Sequence, residues 1–344
     1  MSQRASTDFA GVVPAPLRFD NRVAVVTGAG RGLGAAYAVA LATRGATVVV
    51  NDLGSSPGGD GTDSEPATAV TAAIDASGGR AIANLDDVST PAGAERMITV
   101  ALETFGRIDV VINNAGIINR STFPDTTLQD MQRHIAVHQI GTFNVTRAAW
   151  PHMVRQKYGR MIATISRAIF GIEGVIPYSS AKGGVFGLAR GLAQVGQAHG
   201  IRVNMVAPHA VTRMNGSDGP PPPAIARSRV LTPERVANLV LVLAHERCPA
   251  TGEMYYAAGD RFSRFFLAET VGYRQADASP EAILEHWTEI GREEGYTVPA
   301  ARREARFVES QSGSVWRQTT SPNADSLAQG HPSDGSFETS REHT

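Results

Sequence analysis

A cluster of glycines between residues 27 and 34 constrains the fold of this 344-residue chain more than any other feature. The cluster reads Thr27-Gly-Ala-Gly-Arg-Gly-Leu-Gly34; a short apolar run precedes it and an alanine-rich run follows it. That order predicts a strand, a tight turn and a helix. Glycines allow the backbone to approach a pyrophosphate closely, and a helix N-terminus supplies N–H groups and a partial positive charge. The turn therefore predicts a binding site for the phosphates of a dinucleotide.

An acidic residue follows this turn at the spacing that dinucleotide-binding folds use. A second apolar run, residues 46–52, ends in Asn51-Asp52. A carboxylate at the end of such a strand can accept hydrogen bonds from the ribose hydroxyls of adenosine, and it would repel a 2′-phosphate. A glycine motif alone is weakly specific, but the strand, the helix and the acid together make dinucleotide binding the favoured interpretation.

A tyrosine and a lysine stand four positions apart in the run Tyr178-Ser-Ser-Ala-Lys182. The chain has 32 lysines and arginines, and only Lys157 and Lys182 are lysines. Residues four apart share one face of a helix, so the ammonium can lie beside the phenol. A cation there is expected to lower the pKa of Tyr178 from its usual value of about 10. The pair therefore predicts a group that donates and accepts a proton.

Strand-like and helix-like runs alternate along the chain up to about residue 258. The predicted strands lie at 80–85, 108–112, 160–165 and 202–207, and the predicted helices at 91–105, 127–157 and 178–197. Alternation of this kind indicates βαβ units. We therefore expect an α/β fold, with a single Rossmann-type doubly wound parallel sheet and helices on both faces. One appended helix at 280–291 would form a short C-terminal helical extension.

The composition changes towards both ends of the chain. We expect an N-terminal tail at 1–18, a dinucleotide-binding catalytic domain at 19–260, an extension at 261–310 and a disordered tail at 311–344, where Ser, Thr, Gly, Asp and Gln are frequent. Residues 54–66 and 214–224 are typical of loops. The second loop contains Pro220 to Pro223, which we expect to stiffen a cover over the substrate.

Composition also excludes several classes of partner. The formal net charge of -1 gives no electrostatic argument for nucleic acid or for a membrane surface, and no apolar run reaches the length of a membrane span. A single cysteine, Cys248, fits a reducing compartment, and the start of the chain lacks the pattern of a secretory signal. We expect a cytoplasmic protein. His134 and His138 have the spacing of zinc ligands but no third ligand, so we expect no metal site.

Taken together, these residues resemble the short-chain dehydrogenase/reductase family over roughly residues 19–260. The matching motifs are Thr27-Gly-x-x-x-Gly-x-Gly34, Asp87-Val88, Asn113-Asn-Ala-Gly116, Ser166 and Tyr178-x-x-x-Lys182. Within the family, the chain is most similar to the (3R)-hydroxyacyl-CoA dehydrogenase domains of peroxisomal multifunctional enzymes of type 2. The runs Val50-Asn-Asp-Leu-Gly54, Val145-Thr-Arg-Ala-Ala-Trp150 and Tyr158-Gly-Arg160 carry this closer likeness, as does Ser279-Pro-Glu-Ala282 followed by Trp287.

The resemblance implies roles for individual residues. Tyr178 would be the general acid/base, Lys182 would lower its pKa and hold the nicotinamide ribose, and Ser166 would donate to the substrate oxygen. Many family members use an asparagine to hold a water chain to the lysine, and here His138 occupies that position; the alternative is an ordinary histidine on a helix face. The implied cofactor-binding residues are Gly28, Arg31, Gly32, Leu33 and Gly34 at the phosphates, Asp52 at the ribose, Asp87, Val88, Asn114, Ala115 and Gly116 at the adenosine, and Tyr178, Lys182, Pro208 and Val211 at the nicotinamide.

The loop after Ser166 departs from the family pattern. Ser166 stands one residue closer to the tyrosine than in most family members, so this loop carries a deletion. It also contains the bulky run Arg167-Ala-Ile-Phe170 where small polar residues are usual. This difference indicates a substrate other than a simple acyl thioester. Arg167, Glu173 and Arg213 are candidates to line the mouth of the site, or they are solvated surface charges.

The cofactor and the reaction follow from the resemblance. Arg31 could pair with the 2′-phosphate of NADP, whereas Asp52 would repel it, and at a few ångströms that repulsion reaches a few kcal/mol. We therefore expect NAD. The expected reaction interconverts a secondary alcohol and a ketone, with an (R)-3-hydroxyacyl-CoA as the leading substrate. The alternatives are a hydroxysteroid or specialised-metabolite dehydrogenase, and a non-catalytic NAD(H)-sensing protein. Relatives associate through the helices at 127–157 and 178–197, so a homodimer or homotetramer is expected.

Overall fold

The computed structural model describes residues 15–216 and 230–299, together with two strands at 305–308 and 315–318. The proline run at 220–223 lies outside the described residues. So do residues 1–14 of the expected N-terminal tail and, apart from one strand, the expected disordered tail from 311.

Eight strands form one sheet in the order β3-β2-β1-β4-β5-β6-β7-β8. The strands are Val23–Thr27 (β1), Thr47–Asn51 (β2), Arg80–Asn84 (β3), Val110–Asn113 (β4), Gly159–Thr164 (β5), Ile201–His209 (β6), Met254–Ala258 (β7) and Arg261–Phe265 (β8). The first seven are parallel, and β8 runs antiparallel to β7. The central strands are buried along their whole length, which is why they consist of continuous apolar runs rather than alternating ones.

Helices cover both faces of the sheet and create two apolar cores. The helices are Gly32–Thr43 (α1), Glu65–Ala76 (α2), Pro91–Phe105 (α3), Leu128–His134 (α4), Gly141–Gln156 (α5), Ile176–Gly196 (α6) and Pro233–Ala244 (α7). Side chains of α1, α2 and α7 pack on one face of the sheet, and those of α3, α5 and α6 pack on the other. The predicted doubly wound α/β fold is confirmed.

The strand order reverses between β1 and β4, and this reversal positions the site. In an open parallel sheet, ligands bind outside the carboxyl ends of the strands where the order reverses. Here those ends carry Thr27 and Asn113, which lead directly into the glycine turn and the Asn-Ala-Gly run. Two of the motifs singled out in the sequence therefore meet at one edge of the sheet.

The sheet and the helical extension differ in detail from the sequence prediction. Gly259, at φ +59°, takes part in a turn that lets β8 pair back onto β7, so the sheet continues five residues past the predicted boundary at 260. The strand β8 is half-exposed and alternates charged with aromatic side chains, so it lacks the apolar run that predicts a strand. The C-terminal extension contains two short helices, Pro280–Glu285 (α8) and Trp287–Ile290 (α9), because His286 leaves helical geometry between them.

A second unit begins after residue 301, and its described residues form an antiparallel pair, Ala305–Val308 (β9) and Val315–Gln318 (β10). The strand β10 falls where the sequence predicts disorder. Composition favoured disorder because the tail is rich in small polar residues. That average conceals Val315 and Trp316, which are residue types that favour strands.

No helix among the described residues is both long and apolar enough to cross a bilayer.

Candidate active site

Two adjoining cavities open at the carboxyl edge of the sheet. The first, here called the turn cavity, has a volume of about 500 Å³ and extends from Gly28 and Asp52 to Val88. The second, the tyrosine cavity, has a volume of about 450 Å³ and contains Tyr178 and Ser166. The residues that line both are Leu33, Asn114, Gly116, Thr212 and Met214. The two cavities therefore form a continuous cleft.

The glycine turn brings backbone amides to the floor of the turn cavity. Gly28 and Gly32 have φ angles of +61° and +55°, which residues other than glycine rarely adopt. A Cβ at Gly34 would lie 2.1 Å from the carbonyl oxygen of Gly28, so only glycine lets α1 pack this closely on the turn. In the described chain no side chain caps the start of α1 at Arg31. Its first amides are therefore available to an anion.

Asp52 is fixed by two backbone amides, one in the glycine turn and one just after β2. Its Oδ2 accepts from the amide of Gly30 at 2.7 Å, and its Oδ1 accepts from the amide of Gly54 at 2.7 Å. The residue is 7% exposed and lines the turn cavity. Arg31, the competing cation, lies with its Nη2 3.4 Å from the Asp63 carboxylate. The negative charge of Asp52 is thus held at the end of β2, while the charge of Arg31 is balanced by a neighbour.

Thr27 and Asn114 tie the ends of β1 and β4 together. The Thr27 Oγ1 accepts from the amides of Asn114 at 2.9 Å and Ala115 at 3.0 Å. The Asn114 Nδ2 donates to the carbonyl oxygens of Thr27 and Gly28, both at 3.1 Å. Sequence reasoning treated Thr27 only as the start of a motif. Its position at the end of a buried strand, beside the glycine turn, is the signal that could have identified it as a positioning residue.

The cleft fits the dinucleotide that the sequence predicts. Uncapped amides at α1 suit a pyrophosphate, the fixed Asp52 carboxylate suits ribose hydroxyls, and Asp87 and Val88 line the far wall of the turn cavity. Most of the predicted cofactor residues line one of the two cavities: Gly28, Arg31, Gly32, Leu33, Asp52, Asp87, Val88, Asn114, Ala115, Gly116, Tyr178, Lys182 and Pro208. Gly34 and Val211 are not among the lining residues. Gly34 serves helix packing, and the amide of Val211 donates to the carbonyl oxygen of Leu231 at 2.8 Å.

The tyrosine cavity brings together the side chains predicted to move protons. Tyr178 lies in the first turn of α6, and Lys182 follows one turn later. The lysine Nζ donates to the carbonyl oxygen of Thr164 at 2.6 Å and lies 5.6 Å from the centroid of the tyrosine ring. Ser166 follows β5 and, despite the shortened loop, lines the tyrosine cavity together with Tyr178. Its Oγ also accepts from the amide of Ala168 at 3.1 Å, which fixes the serine at the start of a 3-10 helix.

Burial dominates the proton affinities of this pair. It raises the pKa of the Tyr178 phenol, and the influence of the Ser166 hydroxyl acts in the opposite direction. Burial also lowers the pKa of Lys182 to about 7. The sequence predicted that Lys182 would lower the pKa of Tyr178. In the structure the pKa of Tyr178 is raised instead, because burial of the phenol is the largest influence on it, and the Lys182 ammonium is directed to the carbonyl oxygen of Thr164.

His138 lies beside this pair in an unusual turn of helix. Residues Ile135–Ile140 form a π-helical turn between α4 and α5, and single π turns of this kind often mark functional sites. The His138 Nε2 lies 2.8 Å from the carbonyl oxygen of Ile117, and the His138 and Tyr178 rings meet edge-on with centroids 5.2 Å apart. Burial and the nearby Lys182 hold the pKa of His138 well below its ordinary value.

Two buried polar atoms beside Lys182 have no hydrogen-bond partner in the described part of the chain. They are the Nδ1 of His138 and the Oγ1 of Thr164, and both residues line the tyrosine cavity. His134, by contrast, is fully engaged: its Nδ1 lies 2.8 Å from the Asp130 carbonyl oxygen, and its Nε2 accepts from the Asn119 amide at 3.3 Å. Among the described residues, no group of three metal-ligating side chains occurs.

The mouth of the cleft contains charged residues that the sequence treated differently. Arg167 lines the tyrosine cavity and Arg213 lines the turn cavity, whereas Glu173 is not among the lining residues of either. Arg120 also lines the tyrosine cavity, and sequence reasoning missed it. Its place a few residues after the Asn-Ala-Gly run at the end of β4 is the signal that could have identified it.

Comparison with known proteins agrees with this geometry. The family model for short chain dehydrogenases matches residues 22–220. The chain is 44% identical over 280 residues to the mouse peroxisomal multifunctional enzyme type 2, covering 80% of this chain and 37% of the mouse protein. It is 41% identical over 272 residues to a Mycobacterium tuberculosis protein named as a short-chain type dehydrogenase/reductase, covering 78% and 94%.

A solved structure has the same fold. A short chain dehydrogenase from Mycobacterium avium superposes with a TM-score of 0.67 at 31% identity, covering 79% of this chain and 95% of that one. The chain therefore spans nearly the whole of two bacterial proteins but little more than a third of the mouse multifunctional enzyme.

Proposed function

From its cleft and its membership of the short-chain dehydrogenase/reductase family, which makes the chain an oxidoreductase, we propose that it interconverts a secondary alcohol and a ketone. The proposed cofactor is NAD, and the proposed substrate is an (R)-3-hydroxyacyl-CoA. One observation carries the proposal. Tyr178, Ser166 and Lys182 line a cavity that continues into the glycine turn, so a substrate oxygen and a nicotinamide can meet at the tyrosine.

Each residue of the tyrosine cavity has a part in this reaction. NAD, when bound, supplies the hydride acceptor. The Tyr178 Oη takes the proton of the alcohol during oxidation and returns it during reduction. The Ser166 hydroxyl donates to the substrate oxygen, where negative charge develops. Because burial raises the pKa of Tyr178, the phenol is held in its protonated form at neutral pH, which suits proton donation to a ketone oxygen.

His138 and Thr164 complete a route for the proton. We assign to His138 the role of the asparagine that other family members use, because its Nδ1 is buried without a partner beside Lys182. With its pKa far below neutral, the ring is uncharged and can accept a hydrogen bond from water. A water held between His138, Thr164 and Lys182 would connect the lysine to solvent.

The choice of substrate rests on the likeness to the multifunctional enzymes. The runner-up is a hydroxysteroid or another bulky alcohol. It is favoured by the apolar side chains of Ile118, Phe170 and Ile172, which line the tyrosine cavity where the loop after Ser166 is shortened. A non-catalytic NAD(H) sensor is disfavoured, because such a protein has no need of the complete set of Ser166, Tyr178 and Lys182.

The first test is reduction of NAD⁺ by the purified protein. The substrates are (R)- and (S)-3-hydroxyacyl-CoA of several chain lengths, beside hydroxysteroids. We expect turnover of the R thioesters, and we expect Tyr178→Phe to lower kcat by at least the 10²–10⁴-fold typical of a general acid/base. NADH binding, measured by fluorescence, serves as the control that the Tyr178→Phe protein is folded.

The outcomes separate the candidates. Turnover of hydroxysteroids without turnover of thioesters would replace the substrate by the runner-up class. Binding of NADH without turnover of any alcohol in either direction would identify a sensor. Unchanged turnover by Tyr178→Phe would overturn the assigned chemistry.

The preference for NAD is tested at Asp52. Because both carboxylate oxygens accept from backbone amides, those of Gly30 and Gly54, Asp52→Asn is a milder change than alanine: it removes the charge and keeps one acceptor. We expect the ratio of kcat/KM with NADP⁺ to that with NAD⁺ to rise at least tenfold, since a repulsion of a few kcal/mol is relieved. Asp20→Asn, an exposed carboxylate paired with Arg18, is the matched control. An unchanged ratio would mean that Asp52 does not select the cofactor.

A further inference from the structure

The bulky loop that follows the serine of the tyrosine cavity packs against the last two strands of the sheet. It consists of the 3-10 helix Arg167–Phe170. The Cζ of Arg167 lies 5.4 Å from the centroid of the Tyr256 ring on β7. The ring of Phe170 meets the ring of Phe265 on β8 edge-on, with centroids 5.2 Å apart. Both are distances at which such groups attract each other, so the sheet holds the loop at both ends of its short helix.

The two aromatic residues that receive the loop form one support. The rings of Tyr256 and Phe265 pack on each other with centroids 5.4 Å apart, and both belong to the same apolar core. The strands that carry them pair antiparallel from Met254 opposite Phe265 onwards, and β7 is paired with β6 on its other side. The support is therefore continuous with the central sheet, and β8 supplies half of it.

Inside the loop, the backbone fixes the hydroxyl of Ser166. Its Oγ accepts from the amide of Ala168 at 3.1 Å, and the carbonyl oxygen of Ala168 accepts from the amide of Gly171 at 3.0 Å. Ala168 is 2% exposed, and Ile169 packs against the apolar core. A shift of the short helix would move the Ala168 amide, and the serine hydroxyl would lose its place with it.

The chain beyond the short helix restrains the loop less. A Cβ at Gly171 or at Gly174 would meet nothing within 4 Å, so this stretch is loosely packed. The amide of Ser121 donates to the carbonyl oxygen of Gly174 at 3.1 Å, close to the start of α6 and away from the serine. The contacts with Tyr256 and Phe265 are thus the ones placed to hold the serine end of the loop.

We propose that Phe265, together with Tyr256, is a positioning residue that holds the Ser166 hydroxyl at the substrate oxygen through the loop between them. This inference rests on the proposed function, in which that hydroxyl donates to the substrate oxygen. It also gives the bulky run after the serine a purpose. A loop shortened by one residue is anchored on β7 and β8 by large side chains in the places where small polar ones are usual.

The kinetic test removes the ring of Phe265 with and without the hydroxyl of Ser166. We expect Phe265→Ala to lower kcat with the best alcohol by about tenfold or more, because a small displacement of a catalytic group is costly to the chemical step. In the Ser166→Ala background the same change should alter kcat by less than about twofold, since the hydroxyl that it positions is absent. The Kd of NADH should be unchanged, because Phe265 does not line the turn cavity.

Phe262→Ala is the matched control. Phe262 lies on the same strand and is 49% exposed. It stands three residues before Phe265, so its side chain points to the opposite face of the sheet. Its removal should leave kcat unchanged in both backgrounds. If Phe265→Ala fails to bind NADH and is therefore misfolded, Phe265→Leu replaces it, because leucine keeps apolar bulk without the ring edge.

Hydrogen exchange keeps this inference distinct from the proposed reaction. Mass spectrometry follows the segment 166–171 in the NADH-loaded proteins, and we expect its amides to exchange on the order of tenfold faster in Phe265→Ala than in the parent or in Phe262→Ala. If no alcohol is turned over but exchange accelerates in this way, the reaction is wrong and the support of the loop stands. Equal exchange in the two variants would overturn the positioning role. So would a loss of kcat in Phe265→Ala that is equally large without the Ser166 hydroxyl.

Discussion

Lys182 lies in the interior with 3% of its surface exposed, and its Nζ donates to the carbonyl oxygen of Thr164 at 2.6 Å. Burial lowers its pKa from 10.5 to about 7. An unfolded chain therefore binds this proton more tightly than the folded protein does between these two pH values. By linkage, the lysine lowers the stability of the folded protein at neutral pH, and that loss is relieved as pH rises from about 7 towards 10.5.

Replacement of Lys182 by Met should remove this pH dependence. Methionine retains much of the length of the chain and carries no charge. We expect the parent to gain stability relative to Lys182→Met by up to about 1.4 kcal/mol for each pH unit between 7 and 10. Urea unfolding of both proteins at pH 7.5, 8.5 and 9.5 measures this difference. A difference that stays constant across the series would show that Lys182 titrates near its ordinary pKa.

The sequence identified this pair of residues but not its proton affinities. Tyr178 and Lys182 could be paired from their spacing because a helix places residues four apart on one face. The direction of the tyrosine pKa depends on how deeply both groups are buried and on what the ammonium binds. Those quantities arise from β5 and α6 packing together, and no spacing in the sequence encodes them.

At the scale of elements, helix ends were predictable where local chemistry sets them. The helix at 91–105 has the predicted limits, since Thr90 caps it by accepting from the Gly93 amide at 3.1 Å and Gly106 ends it at φ +77°. The predicted helix at 127–157 instead contains the π turn Ile135–Ile140. A π turn adds one residue to a helical turn without changing which residue types are apolar, so periodicity did not indicate it.

Gly116 and the π turn fit closely together. A Cβ at Gly116 would lie 2.4 Å from the His138 Cε1, and the ring is only 1% exposed. We expect Gly116→Ala to displace His138, to lower kcat on the order of tenfold or more, and to cost about 1–3 kcal/mol of stability. Kinetics with the best alcohol and urea unfolding measure the two effects.

Gly191→Ala is the control for this substitution. Gly191 lies on the exposed face of α6, and a Cβ there would meet nothing within 4 Å. Alanine at a helical position with free space should raise stability by about 0.5–1 kcal/mol. If Gly116→Ala raises the stability as Gly191→Ala does, the contact between Gly116 and His138 does not constrain the ring.

At the scale of the whole molecule, exposed apolar residues collect on the helices expected to mediate association. Leu128, Ile140 and Phe143 on the segment from α4 to α5 are 72%, 41% and 42% exposed, and Val195 on α6 is 58% exposed. Ile140 and Phe143 stand three residues apart, so they share one helical face. We propose that this face joins copies of the chain.

A charge at Phe143 tests this assembly. We expect the parent to elute as a dimer or tetramer in size-exclusion chromatography with light scattering. Phe143→Asp should shift it towards the monomer, because a carboxylate buried at an interface has no partner. Val39→Asp, at an exposed valine of α1 on another surface, should leave the mass unchanged. A monomeric parent would contradict the proposed assembly.

The order of strands was predictable only in part. The alternation of apolar runs gave the parallel doubly wound sheet, because continuous apolar strands must be covered on both faces. The antiparallel strand β8 was not predicted, since its half-exposed alternation of charged and aromatic side chains resembles an ordinary surface segment. The cleft was predicted because its residues fall at strand ends. Arg120 was not, since only the fold carries that loop to the mouth.

The scarcity of lysine in the chain has a practical consequence. Lys182 is enclosed, so Lys157, exposed at the end of α5, is the lysine open to reagents in the part of the chain that the structure describes. Lys157 precedes β5 by two residues, so it lies at the amino edge of the sheet, whereas the cleft opens at the carboxyl edge. A dye or a solid support coupled through Lys157 would therefore be attached at the amino edge of the sheet, and the cleft at the opposite edge would stay accessible to solution.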